Sequence, residues 1–417
     1  MKMVHEAARD IPVIAEVDVA VVGGGTAGVP AAVAAGRLGA RTILLERYGH
    51  LGGMATGGLV AMVPGGRKTH SKDSPVYGGI MLELVEALEK KGDIVWTERS
   101  FRYNPETLKC LSLEMCEEAG VKLRLHTWVV AAQVEDEKVS ALILESKGGR
   151  EAVACQAVVD TSGDADVAQF AGAPFEVNTK RISLLAKFAG IDVEKADRYL
   201  EENAQGYEAK IKEAPVQQTL RSRTYLDPRL PNIFICHTTP PQPGYEDGTY
   251  AGNLSALSPD DLTYIEVQSR KILAKAIEFH RQEVPGYEEA VLVETASQIG
   301  TRESRRLTGD YALTQDDVKT GRRFKDAIGR AGGKKFYEIP YRAIYSKQIK
   351  NLFVGGRCIS VEHEAHGPIR VIPPCILTGQ AAGTAAALAA KEGVGARDLD
   401  IGQLQTALKN AGVALGG

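Results

Sequence analysis

Between Val17 and Glu46 the chain runs from an apolar stretch into Gly23-x-Gly25-x-x-Gly28, then through small residues to a second apolar stretch. Val17 to Val22 reads as a buried parallel strand and Ala27 to Leu38 as a helix stopped at Gly39. Thr42 to Leu45 reads as the next strand. Glycines at that spacing, on a strand-to-helix turn, answer three separate physical needs. The first makes the turn, the second lets backbone approach a pyrophosphate, and the third lets helix meet strand. Helix amides beginning at Thr26 and Ala27 then receive the anion. Glu46 ends the second strand 18 residues beyond Gly28, followed by Arg47. Its carboxylate suits ribose hydroxyls and repels a 2′-phosphate. The unit predicts a dinucleotide site in an α/β fold.

At 417 residues the chain has room for two domains. Its 44% apolar and 25% charged content is that of an ordinary globular protein, and a net charge of −3 provides no field for nucleic acid. No apolar run reaches the roughly 18–20 residues that span a bilayer. His5, Glu6, Arg9 and Asp10 leave the start without a signal-peptide core. Six cysteines without a CxxC pair read as reduced thiols, so the cytoplasm is the expected location.

Residues 121–160 change character, with short strand-like runs that suggest a β-meander ending in another central strand. From about Phe175 to Lys347 the pattern loosens, with prolines at 240, 241 and 243 and a charged helix capped by Ser258. Asn351 to Val354 is again a short strand meeting Gly355-Gly356, and Ile376 to Ala390 is a small-residue helix after Pro373-Pro374. The predicted architecture is a Rossmann-like domain with a central parallel sheet and a β-meander, built from 1–174 and 346–417. An α+β substrate domain, 175–345, is inserted in it.

A second glycine-rich stretch, Gly49-His50-Leu51-Gly52-Gly53-Met54-Ala55-Thr56-Gly57-Gly58, directly follows Glu46 and Arg47. A nicotinamide dehydrogenase has no need of it. A flavin enzyme does, because its chain must pass along pyrophosphate and ribityl and skirt the isoalloxazine. Asp160 to Asp166, Arg302 to Arg306 with Gly309-Asp310-Tyr311, and the long run from Asn351 to Ala390 narrow the likeness. The chain resembles FAD-dependent oxidoreductases of glutathione-reductase-like fold, in their fumarate-reductase-like branch. Within that branch it is similar to the broad family of bacterial flavoproteins named simply FAD-dependent oxidoreductases.

The resemblance implies noncovalent FAD, with Val130, Thr161, Gly163 and Asp164 beside its adenosine half. Gly355 and Gly356 then deliver the ribityl chain. Many relatives carry Asp after that glycine pair. This chain has Arg357, which either points elsewhere or binds phosphate. Amides near Ile376 to Gly379 are expected at the N1/O2 edge of the flavin, where partial positive charge stabilises the reduced form. No second GxGxxG serves NADPH, so an external electron acceptor is expected.

The candidate catalytic residues are His363 and His366 as base, Arg370 and Arg302 as anion clamps, and Tyr341. Each has a plainer reading. The histidines also suit polar loop positions or hydrogen bonds to FAD, Arg370 suits pairing with phosphate, and Tyr341 with Arg342 suits a core tyrosine beside an ion-paired arginine. Arg305 and Arg306 read as residues of a solvated face or of internal ion pairs, and HxxH spacing does not suggest a metal. These residues predict a dehydrogenase or oxidase moving hydride from a small polar substrate, with or without a carboxylate, to flavin N5. The alternatives are a reductase of activated double bonds and a flavin-binding electron-transfer subunit. A homo-oligomer is compatible with either.

Overall fold

The computed structural model describes residues 2–74, 76–213, 223–225, 234–238, 245–246, 249–250, 254–332 and 336–415. Pro240, Pro241 and Pro243 lie outside the described residues, as does the side chain of Cys236.

The strand Val13–Val22 is the middle of the main sheet. It pairs in parallel with Thr42–Leu45 on one side and Gly149–Asp160 on the other. Lys122–Arg124 extends the sheet beyond Thr42–Leu45, and Leu352–Val354 lies parallel to the end of Gly149–Asp160. Val19 to Val22 are buried, as a continuous apolar run requires when both faces of a strand are covered. The first part of Gly149–Asp160 also pairs antiparallel with Lys138–Ser146, which pairs with Trp128–Glu135. One long strand therefore belongs to both the parallel sheet and the expected meander.

Asn351 fastens the late strand to that frame. Its amide nitrogen donates to the carbonyls of Val139 (2.9 Å) and Gln156 (2.8 Å), and its oxygen accepts from the Val139 amide (2.8 Å). All three groups are left unpaired in an alanine variant. Asn351→Ala is expected to destabilise by about 2–4 kcal/mol. In a thermal melt that is a fall of roughly 2–5 °C, and an unchanged midpoint would contradict the assignment.

Helices cover the sheet. Gly28–Arg37 packs against the long helix Ile372–Glu392, and small residues let them approach closely. A Cβ on Gly379 would overlap the Ala27 carbonyl, and one on Gly383 the Ala31 carbonyl. Asn104 caps Pro105–Glu118 by accepting from Glu106 N, and Ser258 caps Pro259–Glu283 by accepting from Asp261 N. The long terminal helix begins at Ile372, four residues before the expected start. Pro373 and Pro374 occupy its first turn, where a missing N–H matters little, rather than preceding it.

A second sheet, in the order Arg223–Tyr225, Phe234–Thr238, Leu184–Ala189, Val291–Thr295, is antiparallel throughout. Its core gathers Leu184, Phe188, Tyr207, Leu273 and Tyr287 with Leu59 and Ala61 from the glycine-rich turn. Residues from Leu307 to Tyr345 instead join the first core, among them Ile328, Tyr337, Ile339 and Tyr341. The second core thus ends near Ala296, well short of residue 345. The hairpin Ala327–Gly332/Phe336–Pro340 packs on the terminal helix rather than on the second sheet.

Candidate active site

The three glycines of the first turn have different surroundings. Gly23 has φ +95°, and a Cβ there would lie 2.6 Å from the Thr161 carbonyl oxygen. A Cβ on Gly28 would overlap the Gly23 carbonyl itself. Gly25 is open: a Cβ would meet nothing closer than the Gly53 Cα at 3.8 Å. Gly23 and Gly28 therefore close the turn, while Gly25 leaves bare backbone facing space. The amides of Gly28 and Val29 both donate to the Gly25 carbonyl, at 3.1 and 3.2 Å.

That space is a cavity of about 720 Å³ running between the two cores. Gly23, Gly25, Thr26, Ala27, Thr161 and Gly163 border its middle. At one end stand Glu46, Arg47, Tyr48 and Trp128. Glu46 is buried and accepts from the amides of Gly24 (2.6 Å) and Tyr48 (2.9 Å), which fixes its carboxylate at the strand end. The Arg47 guanidinium lies over the rings of Tyr48 and Trp128, 5.0 and 5.4 Å from their centroids. Val129 lines this wall and Val130, the expected residue, does not. The register of this strand shifts between Val129 and Ala131, so Val130 does not follow the pattern of its neighbours.

Of the second glycine-rich stretch, Gly53 and Met54 reach the cavity. The remaining residues shape the turn. Gly52 has φ +93° and donates to the Gly24 carbonyl, while Thr56 Oγ1 donates to Leu51 O. Ala55 O accepts from Tyr103, Gly57 O accepts from Gln298 N, and Gly58 has Met54 packed against it.

Gly356, Arg357, Arg370, Val371, Ile372 and Cys375 bring the late strand and helix to the cavity. Arg357 points to Asp164 (2.6 Å), whose carboxylate also accepts from Ser304 Oγ (2.5 Å). Burial pushes the Asp164 carboxyl up, but Arg357 and Ser304 outweigh it and hold the group below the usual range. Its neighbour Asp166, also on the wall, is raised to about 6 by burial and by Asp164 and Asp160, against the pull of Arg305. Ile376 and Gly379 lie inside the helix Ile372–Glu392 and are not among the residues lining the cavity. With prolines at 373 and 374, the first turn offers the Ile372 amide and little else.

The expected histidines also stand elsewhere. His366 is fully buried, its Nε2 bonded to the Arg357 carbonyl (2.7 Å) and its Nδ1 3.6 Å from Glu303. His363 pairs with Glu303 at 3.0 Å. Neither lines the cavity. Tyr341 is a core residue whose hydroxyl donates to Ala396 O (2.7 Å), and Arg342 is ion-paired with Asp326. Arg302 does line the cavity and donates to the Arg181 carbonyl at 2.6 Å. Sequence reasoning missed Trp128 and the opposite wall of Ser183, Leu185, Leu262 and Ile299, of which Leu185 belongs to the second core and Leu262 and Ile299 pack on a smaller cluster around Ile182 and Ile265. Trp128 could have been noticed as one of two tryptophans; the others look like any core residue.

The FAD dependent oxidoreductase family model matches residues 18–334 and 330–408. The chain belongs to that family. As an FAD-dependent oxidoreductase it is an enzyme, and its cofactor is FAD. No curated protein matches it in sequence. Among solved structures it is similar to p-nitrophenol 4-monooxygenase PnpA from Pseudomonas putida DLL-E4, with TM-score 0.52 and 13% identity over 96% of this chain and 84% of that one. It is also similar to CabE, an aromatic hydroxylase from angucycline biosynthesis, with TM-score 0.51 and 15% identity over 94% of this chain and 65% of CabE. The chain thus spans under two thirds of CabE. At such identities the likeness is one of fold.

The oxidoreductase's cavity fits a long dinucleotide. It passes an aromatic and arginine end, a backbone cradle that a Cβ on Gly25 would enter, and an arginine end at Arg370. The Arg370 Nε is buried without a hydrogen-bond partner among the described residues. Burial, and then the nearby Arg357, lower its pKa. Among the described residues no helix is long and apolar enough to cross a membrane.

Proposed function

We propose that this enzyme oxidises a carbon–hydrogen bond beside a heteroatom in a small carboxylated molecule, using noncovalent FAD and an external electron acceptor. FAD, when bound, supplies the two-electron centre at N5. In this reading the first core and its glycine turns hold the cofactor, and the second core closes over it. Glu46 takes the ribose, Gly25 and Thr26 admit the pyrophosphate, and Arg370 orients the substrate through its carboxylate.

The observation that carries the reading is Arg370, a guanidinium on the cavity wall with no partner for a buried nitrogen among the described residues. A buried cation without compensation is costly, and an arriving anion relieves it. Anaerobic mixing of the FAD-loaded protein with hydroxy acids and amino acids tests it. Bleaching of the visible flavin band by a carboxylate is expected, and bleaching only by neutral alcohols or amines contradicts the reading.

A second reading is reduction of a double bond conjugated to a carboxylate. It is favoured by the position of His363 and His366 off the wall, which removes the histidine bases an alcohol oxidation would use. Photoreduced protein reoxidised by an enoate without oxygen supports this second reading.

A further inference from the structure

Beyond the glycine turn the cavity wall carries a set of apolar side chains, interleaved with Ser183, Gln298 and Thr301. Val60, Met62 and Pro64 follow the turn, Leu185 comes from the second sheet, Leu262 from the helix Pro259–Glu283, and Ile299 from the loop after Thr295. This wall meets the second glycine-rich turn. Gln298 N donates to Gly57 O, and the Met54 side chain lies beside Gly300. Three charged side chains share it. Glu266 is ion-paired with Arg270, and Arg302 donates to the Arg181 carbonyl. The Arg370 Nε is buried with no hydrogen-bond partner among the described residues.

Arg370 precedes Ile372 at the start of the helix Ile372–Glu392 and lines the cavity near Arg357 and Cys375.

We infer that the substrate is an amphipathic monocarboxylate, one carboxylate on an apolar body of several carbons, bound with its head on Arg370 and its body against Leu185, Leu262 and Ile299. This rests on the role given to Arg370 above and adds what the remainder of the molecule must be. One uncompensated guanidinium matches one planar anion through two parallel hydrogen bonds. Aliphatic walls reward carbon and do nothing for hydroxyls. Each buried methylene is worth roughly a fourfold gain in affinity.

The test is titration of the FAD-loaded protein, followed by perturbation of the visible flavin band. The probes are phenylacetate, lactate and phenylacetamide. Phenylacetate is expected to bind at least about 30-fold more tightly than lactate, and roughly 10-fold or more above its neutral amide. Arg370→Met should abolish the preference for acid over amide with FAD affinity within about threefold of wild type, and Leu262→Asn should narrow the preference over lactate. The wild-type comparison needs no variant to fold. Equal binding of lactate, equal binding of the amide, or no perturbation by any acid overturns the inference. FAD affinity falling more than tenfold in Arg370→Met also overturns it, by assigning the arginine to the cofactor. Retention of FAD by the wild-type protein keeps the cofactor reading separate from all of these outcomes.

Discussion

Gly25→Ala is expected to leave the protein folded while lowering its FAD affinity roughly 100-fold, a loss of about 3 kcal/mol. Gly28→Ala, three residues away, is expected to do the reverse and damage the fold first. The difference follows from what surrounds each Cα. A methyl at position 25 enters the cavity with its nearest neighbour 3.8 Å away, so nothing in the protein moves. It occupies the close approach that a pyrophosphate needs. A methyl at position 28 would overlap the Gly23 carbonyl, which belongs to backbone and cannot rotate aside. Helix and strand must separate there, at a cost of about 3 kcal/mol or more. Melting of the apoproteins and flavin-fluorescence titration separate the two effects. A Gly25→Ala protein with wild-type FAD affinity, or a Gly28→Ala protein with a wild-type melting point, contradicts the geometry.

The second large effect is at Glu303. This carboxylate is fully buried and is met by Arg306 Nε at 2.9 Å, His363 Nδ1 at 3.0 Å, Lys180 Nζ at 3.1 Å and His366 Nδ1 at 3.6 Å. It ties the loop that carries Arg370 to the strand that follows Arg302. Glu303→Gln takes the counter-charge from Lys180 and leaves the buried Arg306 with Glu176 alone; it should destabilise by about 3–5 kcal/mol, lowering the melting point by roughly 3–6 °C. Burial pushes this carboxyl up, but His366, His363 and Lys180 outweigh it and hold it at about 2, against an ordinary 4.5. A folded pKa below the unfolded one gives stability that is present above about 4.5 and is lost as pH falls toward 2. The melting gap between wild type and Glu303→Gln should therefore be widest near neutrality and shrink as pH drops below 4.5. A gap that is absent at neutral pH, or constant down to the acid range, contradicts the role of Glu303.

What could be read from the sequence was what only particular residues can do. Glycines at 23, 25 and 28 solve a backbone problem no other residue solves, so they announce both strand-turn-helix and ligand. Glu46 was legible for the same reason, as a carboxylate at a fixed place on a fixed strand. The strand Leu352–Val354 was legible as a short apolar run ending on two glycines. Pro373 and Pro374 misled because proline both stops a helix and starts one, and here they sit in its first turn. His363 and His366 misled because nearness in sequence to Gly356 was read as nearness to the cavity. The His366 ring turns instead to the Arg357 carbonyl and Glu303. The apolar wall was illegible in principle, since Leu185 and Leu262 carry no pattern that separates a substrate wall from a core. The extent of the second core was hidden likewise, because the hairpin at 327–340 alternates like any other and only its packing assigns it to the first core.

The most direct measurement is a crystal structure of the FAD-loaded protein. The predicted result is a diphosphate against the backbone of Gly25 and Thr26, adenosine between Glu46 and Trp128, and the ring system at the end bordered by Arg370 and Cys375. A cofactor bound in the opposite sense, or a diphosphate held anywhere other than that first glycine turn, would contradict it.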